Sequence, residues 1–416
     1  MRKLIINGGN NLNGEIKISG AKNSAVALIP AALLCDENVV LTNVPDISDV
    51  DALEEILLYL NAKIDRTEKN KITIYSSNIT NKTITADLAK KLRASYYFMG
   101  ALLGKYKHVE MSFPGGCSIG KRPIDLHLKG FKALGAKISG DDENIILDAD
   151  ELVGADVYLD FASVGATINI MLAAVKAKGI TIIKNAAKEP EIPNIADYLN
   201  AMGAKIKGAG TDIITIEGVE YLHSCEHRVL PDRIEAGTYI ILGAACAKKL
   251  TVSNIIPKHI DSLLEKLKEM NVKMKIGKDK VIIKESNKLK ATEIITLVYP
   301  GFPTDLQQVL ASLMTKAKGT SSIDETIWEN RFLNLYELGK MGAKIEVNGT
   351  KAFIEGPTKL IGTEVNATDL RAGAGLIVAG LLAEGTTIIN NADYILRGYE
   401  NIVEKLTNIG ADVELQ

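Results

Sequence analysis

Apolar residues along the chain follow alternating rhythms. Long runs almost without charge, SAVALIPAALLC (24–35), GATINIMLAAVKA (165–177) and AGAGLIVAGLLA (372–383), have the length and continuity of buried helices. Short stretches of apolar–polar alternation follow such runs, as in GITIIKN (179–185), KLTVSN (249–254) and GTTIINN (385–391), and these predict half-buried strands. A period near 3.6 then returns in IADYLNAMG (195–203), IDSLLEKLKEM (260–270) and YENIVEKLTNIG (399–410), the pattern of a helix with one apolar face. Two more short strands complete the series. The predicted unit is helix-strand-helix-strand-strand.

The unit repeats. A tag of the form [L/M/I]-[G/N]-[A/V]-[K/D]-[I/M/V] closes the amphipathic helix six times: LNAKI, LGAKI, MGAKI, MNVKM, MGAKI and IGADV. Its third residue falls at 62, 136, 204, 272, 343 and 411, intervals of 74, 68, 68, 71 and 68 residues. Gly or Asn in the second position suits the left-handed C-terminal cap of a helix. Solenoid repeats usually run to about 20–50 residues, so a few larger packed modules are expected instead.

The two ends of the chain belong together. The sixth unit stops at Gln416 without its final strands, and LIINGGNNLNGEIKISGAKN (4–23) reads like AFIEGPTKLIGTEVNATDLR (352–371), which closes the fifth. The expectation is that residues 1–20 complete the sixth unit. One domain is then 21–229, the other 1–20 plus 230–416, each of three units, with a cleft between them. The fold class is α/β.

Composition narrows the function. Among 416 residues, 49 Lys+Arg against 51 Asp+Glu leave a formal net charge of −2, with no block of like charge, which excludes a polycation built for nucleic acid. Four cysteines are too few for a disulfide scaffold, and Cys35 and Cys246 lie in apolar stretches expected to be reduced core. Only three apolar residues follow Met1-Arg2-Lys3 before Asn7, and the runs 24–35, 236–247 and 372–383 fall short of the roughly 18–20 residues of a membrane span. A cytoplasmic protein with no membrane partner is expected.

Charge gathers where each unit begins: GAKNS (Lys22, Asn23), KKLRAS (Arg93), ASVGAT (Ser163, Gly165), LPDRIEAG (Asp232, Arg233), FPTDLQ (Asp305) and ATDLRAG (Asp369, Arg371). Ser, Asp and Asn at a helix start are explained by capping. Lys22, Arg93 and Arg371 are not, because cations oppose the dipole there; jointly they would hold an anion. In SFPGGCSIGKRPIDLH (112–127) a glycine-rich loop carries Cys117 beside Lys121 and Arg122, a setting that lowers a thiol's pKa; a bystander surface cysteine is the simpler alternative. His223, Cys225 and His227 alternate on a predicted strand, but three ligands in five residues strain a tetrahedral site, and a polar strand end is the plainer reading. Glu189-Pro190-Glu191, Glu329-Asn330-Arg331 and Arg397-Gly398-Tyr399-Glu400 add charge at further helix starts. No Walker or Rossmann glycine motif stands in its proper context.

Over the whole chain these segments resemble the enolpyruvyl transferases, and among them the branch that acts on UDP-N-acetylglucosamine. The resemblance rests on PGGCSIGKRPIDLH, EPEIPNIADYL, VLPDRIEAGT, FPTDLQ, ENRF, ATDLRAG and RGYENI. It implies two inside-out α/β barrels of three units each, matching the repeat count. It implies transfer of enolpyruvate from phosphoenolpyruvate to the 3′-hydroxyl of UDP-N-acetylglucosamine through a tetrahedral ketal, releasing phosphate, in the first committed step of peptidoglycan synthesis. No cofactor and no metal is implied, and a monomer is expected.

Residue by residue, the resemblance assigns phosphoenolpyruvate to Lys22, Asn23, Arg122, Arg331, Arg371 and Arg397, with Lys22 and Arg397 also catalytic. Cys117 becomes the general acid, able to carry a phospholactoyl adduct and to be alkylated by fosfomycin. Asp305 is placed to take the 3′-hydroxyl proton. Arg93, Arg122, Pro123, Ile124, Asp125, Leu126, Ser163, Val164, Gly165, Asp305 and Ile327 match nucleotide-sugar contacts, and Asp369 a further position in the cleft. One departure is Phe161, where many members carry a lysine two residues before the SVG triplet; this touches one contact to the nucleotide, not the reaction. Two other readings remain: the sister transferase for shikimate 3-phosphate, which lacks the PGGC loop and RPIDLH, and a non-catalytic paralogue that binds the nucleotide sugar.

Overall fold

The computed structural model describes residues 2–115 and 124–416, so Cys117, Lys121, Arg122 and Pro123 lie outside the described residues. The described residues divide into two compact units, 20–115 with 124–230 and 2–19 with 231–416, each with its own apolar core. Three modules build each unit.

The third module shows the plan. Helix Val164–Ala174 leads to strand Ile180–Lys184, helix Glu191–Ala201 and strands Lys205–Lys207 and Ile213–Glu217. Strand Asp156–Tyr158, just before the first helix, pairs in parallel with 180–184, and the last two strands add antiparallel. Repetition of this plan gives six small sheets among the described residues. The first helices are buried nearly all round: residues 234–245 of helix Arg233–Cys246 and 371–381 of helix Leu370–Leu382 are buried. The second helices bury one face, as Asp261–Glu269 does with Leu263, Leu264 and Leu267.

Glycine lets the buried helices touch backbone to backbone. A Cβ on Gly375 would lie 2.6 Å from the carbonyl oxygen of Gln308, and one on Gly100 would lie 2.4 Å from that of Asn169. Ser312 Oγ donates to the carbonyl of Gly375 at 2.7 Å across the first of these contacts.

Residues 4–7 supply the last strand of the sixth sheet, lying antiparallel between Thr386–Asn390 and Asp412–Leu415. Residues 12–17 do something else: they pair in parallel with Ala247–Ser253 in the fourth sheet. The reason is the plan itself. Each four-stranded sheet takes a parallel edge strand; in the fourth module the segment leading into the first helix, Cys225–Arg228, has joined Asn38–Thr42 of the first sheet, and 12–17 fills the place it leaves.

The tags end their helices as the sequence predicts. Asn61, Gly135, Gly203, Asn271, Gly342 and Gly410 all have positive φ, from 64° at Asn271 to 104° at Gly203. A second asparagine series follows the central strands: Asn43, Asn185 and Asn254 also have positive φ, and each side-chain amide donates to the carbonyl beyond the parallel edge strand, at Val229, Leu159 and Ile18.

At Gly342 an added Cβ would meet nothing closer than 3.5 Å, so its only penalty is conformational. Gly342→Ala should therefore lower unfolding stability by about 1–2 kcal/mol in denaturant titration, and Gly342→Asn, the residue used at 61 and 271, by clearly less.

Candidate active site

In the unit of 2–19 and 231–416, the N-terminal ends of the three buried helices carry polar side chains that bond one another. Asp232 and Asp369 cap their helices: Asp232 accepts from the N–H groups of Ile234 and Glu235 at 2.8 and 2.9 Å, and Asp369 from those of Arg371 and Ala372 at 2.8 and 3.0 Å. Asp305, in the first turn of helix Thr304–Met314, instead faces cations. Arg331 Nη2 lies 2.8 Å from its Oδ1 and Arg371 Nη2 3.4 Å from its Oδ2. Two guanidiniums against one carboxylate leave the trio cationic, and both arginines are buried.

Neighbours hold the arginines in place. Arg371 lies against the Tyr399 ring, its Nη1 donating to the phenol oxygen at 3.3 Å, and Thr238 Oγ1 lies 2.8 Å from the same oxygen. Burial raises the Tyr399 pKa, which keeps the phenol neutral. Gln307 Nε2 donates to the Arg331 carbonyl at 3.0 Å and Gln308 Nε2 to the Asp369 carboxylate at 3.2 Å. Ile327 belongs to a turn tied by buried Glu325, which accepts from the N–H of Ile327 at 2.9 Å and from Thr304 at 2.7 Å. Arg397 follows the short helix Asp393–Leu396 and is half-buried.

In the unit of 20–115 and 124–230, Lys22 is the first residue of helix Lys22–Ala31, with Asn23 next; its Nζ lies 2.6 Å from Asp49. Arg93 opens the short helix Arg93–Tyr96, Ile124 precedes helix Asp125–Ala133 with Asp125 and Leu126 in its first turn, and Ser163 caps helix Val164–Ala174 by accepting from the N–H of Ala166 at 3.3 Å. Asn169 binds these three starts together. Its amide nitrogen donates to the Tyr96 carbonyl at 3.0 Å and to His127 Nδ1 at 2.8 Å, and its oxygen accepts from the N–H of Gly100 at 2.9 Å. This leaves the His127 proton on Nε2. Gly165 fits because a Cβ there would lie 2.8 Å from the Tyr96 hydroxyl and 3.0 Å from the His127 ring. Asn169, a lone amide in an apolar helix, is the residue the sequence reading passed over; polarity inside INIMLAA was its only signal.

The structure thus gathers Arg93, Ile124, Asp125, Leu126, Ser163, Val164 and Gly165 in one unit and Asp305, Arg331, Arg371 and Asp369 in the other. Asp369 is held as a cap and as an acceptor from Gln308. The other cysteines are poor nucleophiles: burial raises the Cys35 pKa, and pushes those of Cys225 and Cys246 up to about 11 and about 12. His227 Nε2 bonds the Asn194 amide at 2.8 Å, and among the described residues no group of three His, Cys, Asp or Glu side chains is arranged to hold a metal. No helix among them is long and apolar enough to cross a membrane.

Residues 6–406 match the family model described as EPSP synthase (3-phosphoshikimate 1-carboxyvinyltransferase). The chain belongs to the enolpyruvyl transferase family. Within it, the chain is 52% identical over 413 residues to UDP-N-acetylglucosamine 1-carboxyvinyltransferase 2 of Bacillus cereus, covering 99% of this chain and 96% of that one. The protein of the same name from Listeria monocytogenes is 54% identical over 411 residues, covering 99% and 97%. Among solved structures, the enolpyruvyl transferase NikO from Streptomyces tendae superposes with a TM-score of 0.91 at 28% identity, covering 100% of this chain and 99% of that one. EPSP synthase from Acinetobacter baumannii, at 19% identity, a TM-score of 0.79 and full coverage of both chains, shares the fold.

Burial, with Arg93 adding to it, lowers the His127 pKa to about 3 from its ordinary 6.5. The folded state then binds fewer protons than the unfolded state between those values, so stability is lost as pH falls from about 6.5 towards 3. Denaturant titrations at several pH values should show this loss, up to about 1.4 kcal/mol per pH unit for one proton, and His127→Gln should remove that part of the slope.

Proposed function

We propose that this chain transfers the enolpyruvyl group of phosphoenolpyruvate to the 3′-hydroxyl of UDP-N-acetylglucosamine and releases phosphate, in the cytoplasm, as the first committed step of peptidoglycan synthesis. The observation that carries the reading is identity of 52–54% over nearly the full length with relatives bearing that name. The cationic trio around Asp305 supports it, because phosphoenolpyruvate carries a carboxylate and a phosphate that need buried guanidiniums.

The reaction follows from charge. Arg331, Arg371, Arg397, Lys22 and Arg122 neutralise phosphoenolpyruvate, with Asn23 beside them. Cys117 protonates C3, which makes C2 electrophilic, and the 3′-oxygen adds to C2 as its proton passes to Asp305. Loss of a C3 proton and of phosphate from the tetrahedral ketal restores the double bond on the sugar. Asp305 is bound to two arginines. An incoming carboxylate or phosphate competes for those guanidiniums, so the base is released when the anion binds. The nucleotide sugar takes Arg93, the 122–126 segment, Ser163 to Gly165, and Ile327.

Phosphate release from phosphoenolpyruvate should require UDP-N-acetylglucosamine and should not occur with shikimate 3-phosphate in its place; release with the latter would move the chain to the sister activity. Cys117→Ala should lose the mass increase caused by fosfomycin and about 100-fold or more of its turnover near neutral pH. Unchanged turnover in that variant would remove Cys117 from the mechanism.

A further inference from the structure

Six sheets built on one plan allow their outward faces to be compared. In the third sheet Lys184 pairs across strands with Asp156 at 2.6 Å and Lys205 with Glu217 at 2.5 Å. In the fifth, Lys344 pairs with Glu355 at 2.9 Å and Lys351 with Asp324 at 3.5 Å. The fourth sheet breaks the pattern. Its strands are Leu12–Lys17, Ala247–Ser253, Lys280–Lys284 and Met274–Ile276.

Register places Lys249 directly opposite Lys284, Ser253 between Lys17 and Lys280, and Ile282 between Thr251 and Lys275. Buried Leu250, Val252, Val281 and Ile283 point the other way, so Lys17, Lys249, Lys275, Lys280 and Lys284 share the solvent face, and all five are exposed. None of them makes an ion pair among the described residues, and Glu15 is the one carboxylate on that face, where it accepts from Ser253. Residues 247–290 as a whole hold 12 lysines against 5 carboxylates in a chain of net charge −2. Like charges directly opposite one another destabilise a sheet, so stability does not explain the arrangement.

We propose that this face docks the protein peripherally on an anionic phospholipid surface. The charge is complementary, and the shape agrees. Strands about 4.8 Å apart and same-face residues roughly 7 Å apart spread the ammonium groups across the width of the sheet rather than along a single line. No arginine and no aromatic ring lies on these strands, so the face lacks the stacking platforms of nucleic-acid binders and the anchors of tight protein interfaces. Lysines act there as hydrated point charges, and half-buried Ile282, opposite Lys275 on the same face, adds a little apolar surface among them.

Co-sedimentation of the full chain with phosphatidylcholine vesicles, with and without about one-third phosphatidylglycerol, tests this. Binding is expected to the anionic vesicles only and to vanish at high salt. Lys249→Glu and Lys284→Glu should each weaken the partition roughly tenfold or more while Tm stays equal or rises, because each replaces a like-charge pair by an opposite one. Turnover should not change in either variant. Lys344→Glu, the same charge change on the fifth sheet, should leave vesicle binding intact. Failure to bind anionic vesicles at low salt, equal binding by the fourth-sheet variants, or equal weakening by Lys344→Glu would overturn the proposal. So would binding to a polyglutamate peptide or to DNA under conditions where vesicles are ignored.

Discussion

Everything in this structure depends on contact between helices that have no solvent-exposed face. A single module cannot cover a helix such as Leu370–Leu382, whose residues 371–381 are all buried. Three modules can, because their first helices pack on one another and their sheets and second helices close around them. Glycine at 100 and 375 brings two such helices together at the backbone, closer than any side chain would allow. The inside-out arrangement is the consequence: helices form the core, and the sheets turn one face to solvent.

The same packing builds the chemistry. Helices that share a core bring their N-terminal ends together, and residues spaced about 70 apart become neighbours. Asp305 and Arg371 meet for this reason, one on helix Thr304–Met314 and one on Leu370–Leu382. Cations at those starts, unfavourable in a lone helix, are tolerated because Asp305 stands between Arg331 and Arg371 and Tyr399 supports Arg371. In the other unit the cation problem is met by Asp49 beside Lys22, and the geometry by Asn169, whose three hydrogen bonds use the whole amide.

Repetition also makes exceptions legible. Where the third and fifth sheets set lysines against carboxylates on their outer faces, the fourth, which sets Lys249 against Lys284, stands apart by position and not merely by composition. Likewise the exchange of edge strands, 12–17 into the fourth sheet and 225–228 into the first, is visible only against the plan that the third and fifth modules keep.

Much was readable from the amino acids alone, because it depends on neighbours along the chain. Periodicity, helix ends and turn residues are local: all six tag positions have the positive φ that Gly or Asn predicts, and Leu4 to Asn7 complete the sixth sheet. Motifs quoted from the sequence also led to the enolpyruvyl transferase family, which the match over 6–406 bears out. What only the folded chain decided is long-range. The pairing of 12–17, the capture of Asp305 by two arginines, the bonds of Asn169 and the lysine face each join residues far apart in sequence. Alternation along each strand hides such lysines among apolar residues, and they add up only when neighbouring strands set them side by side.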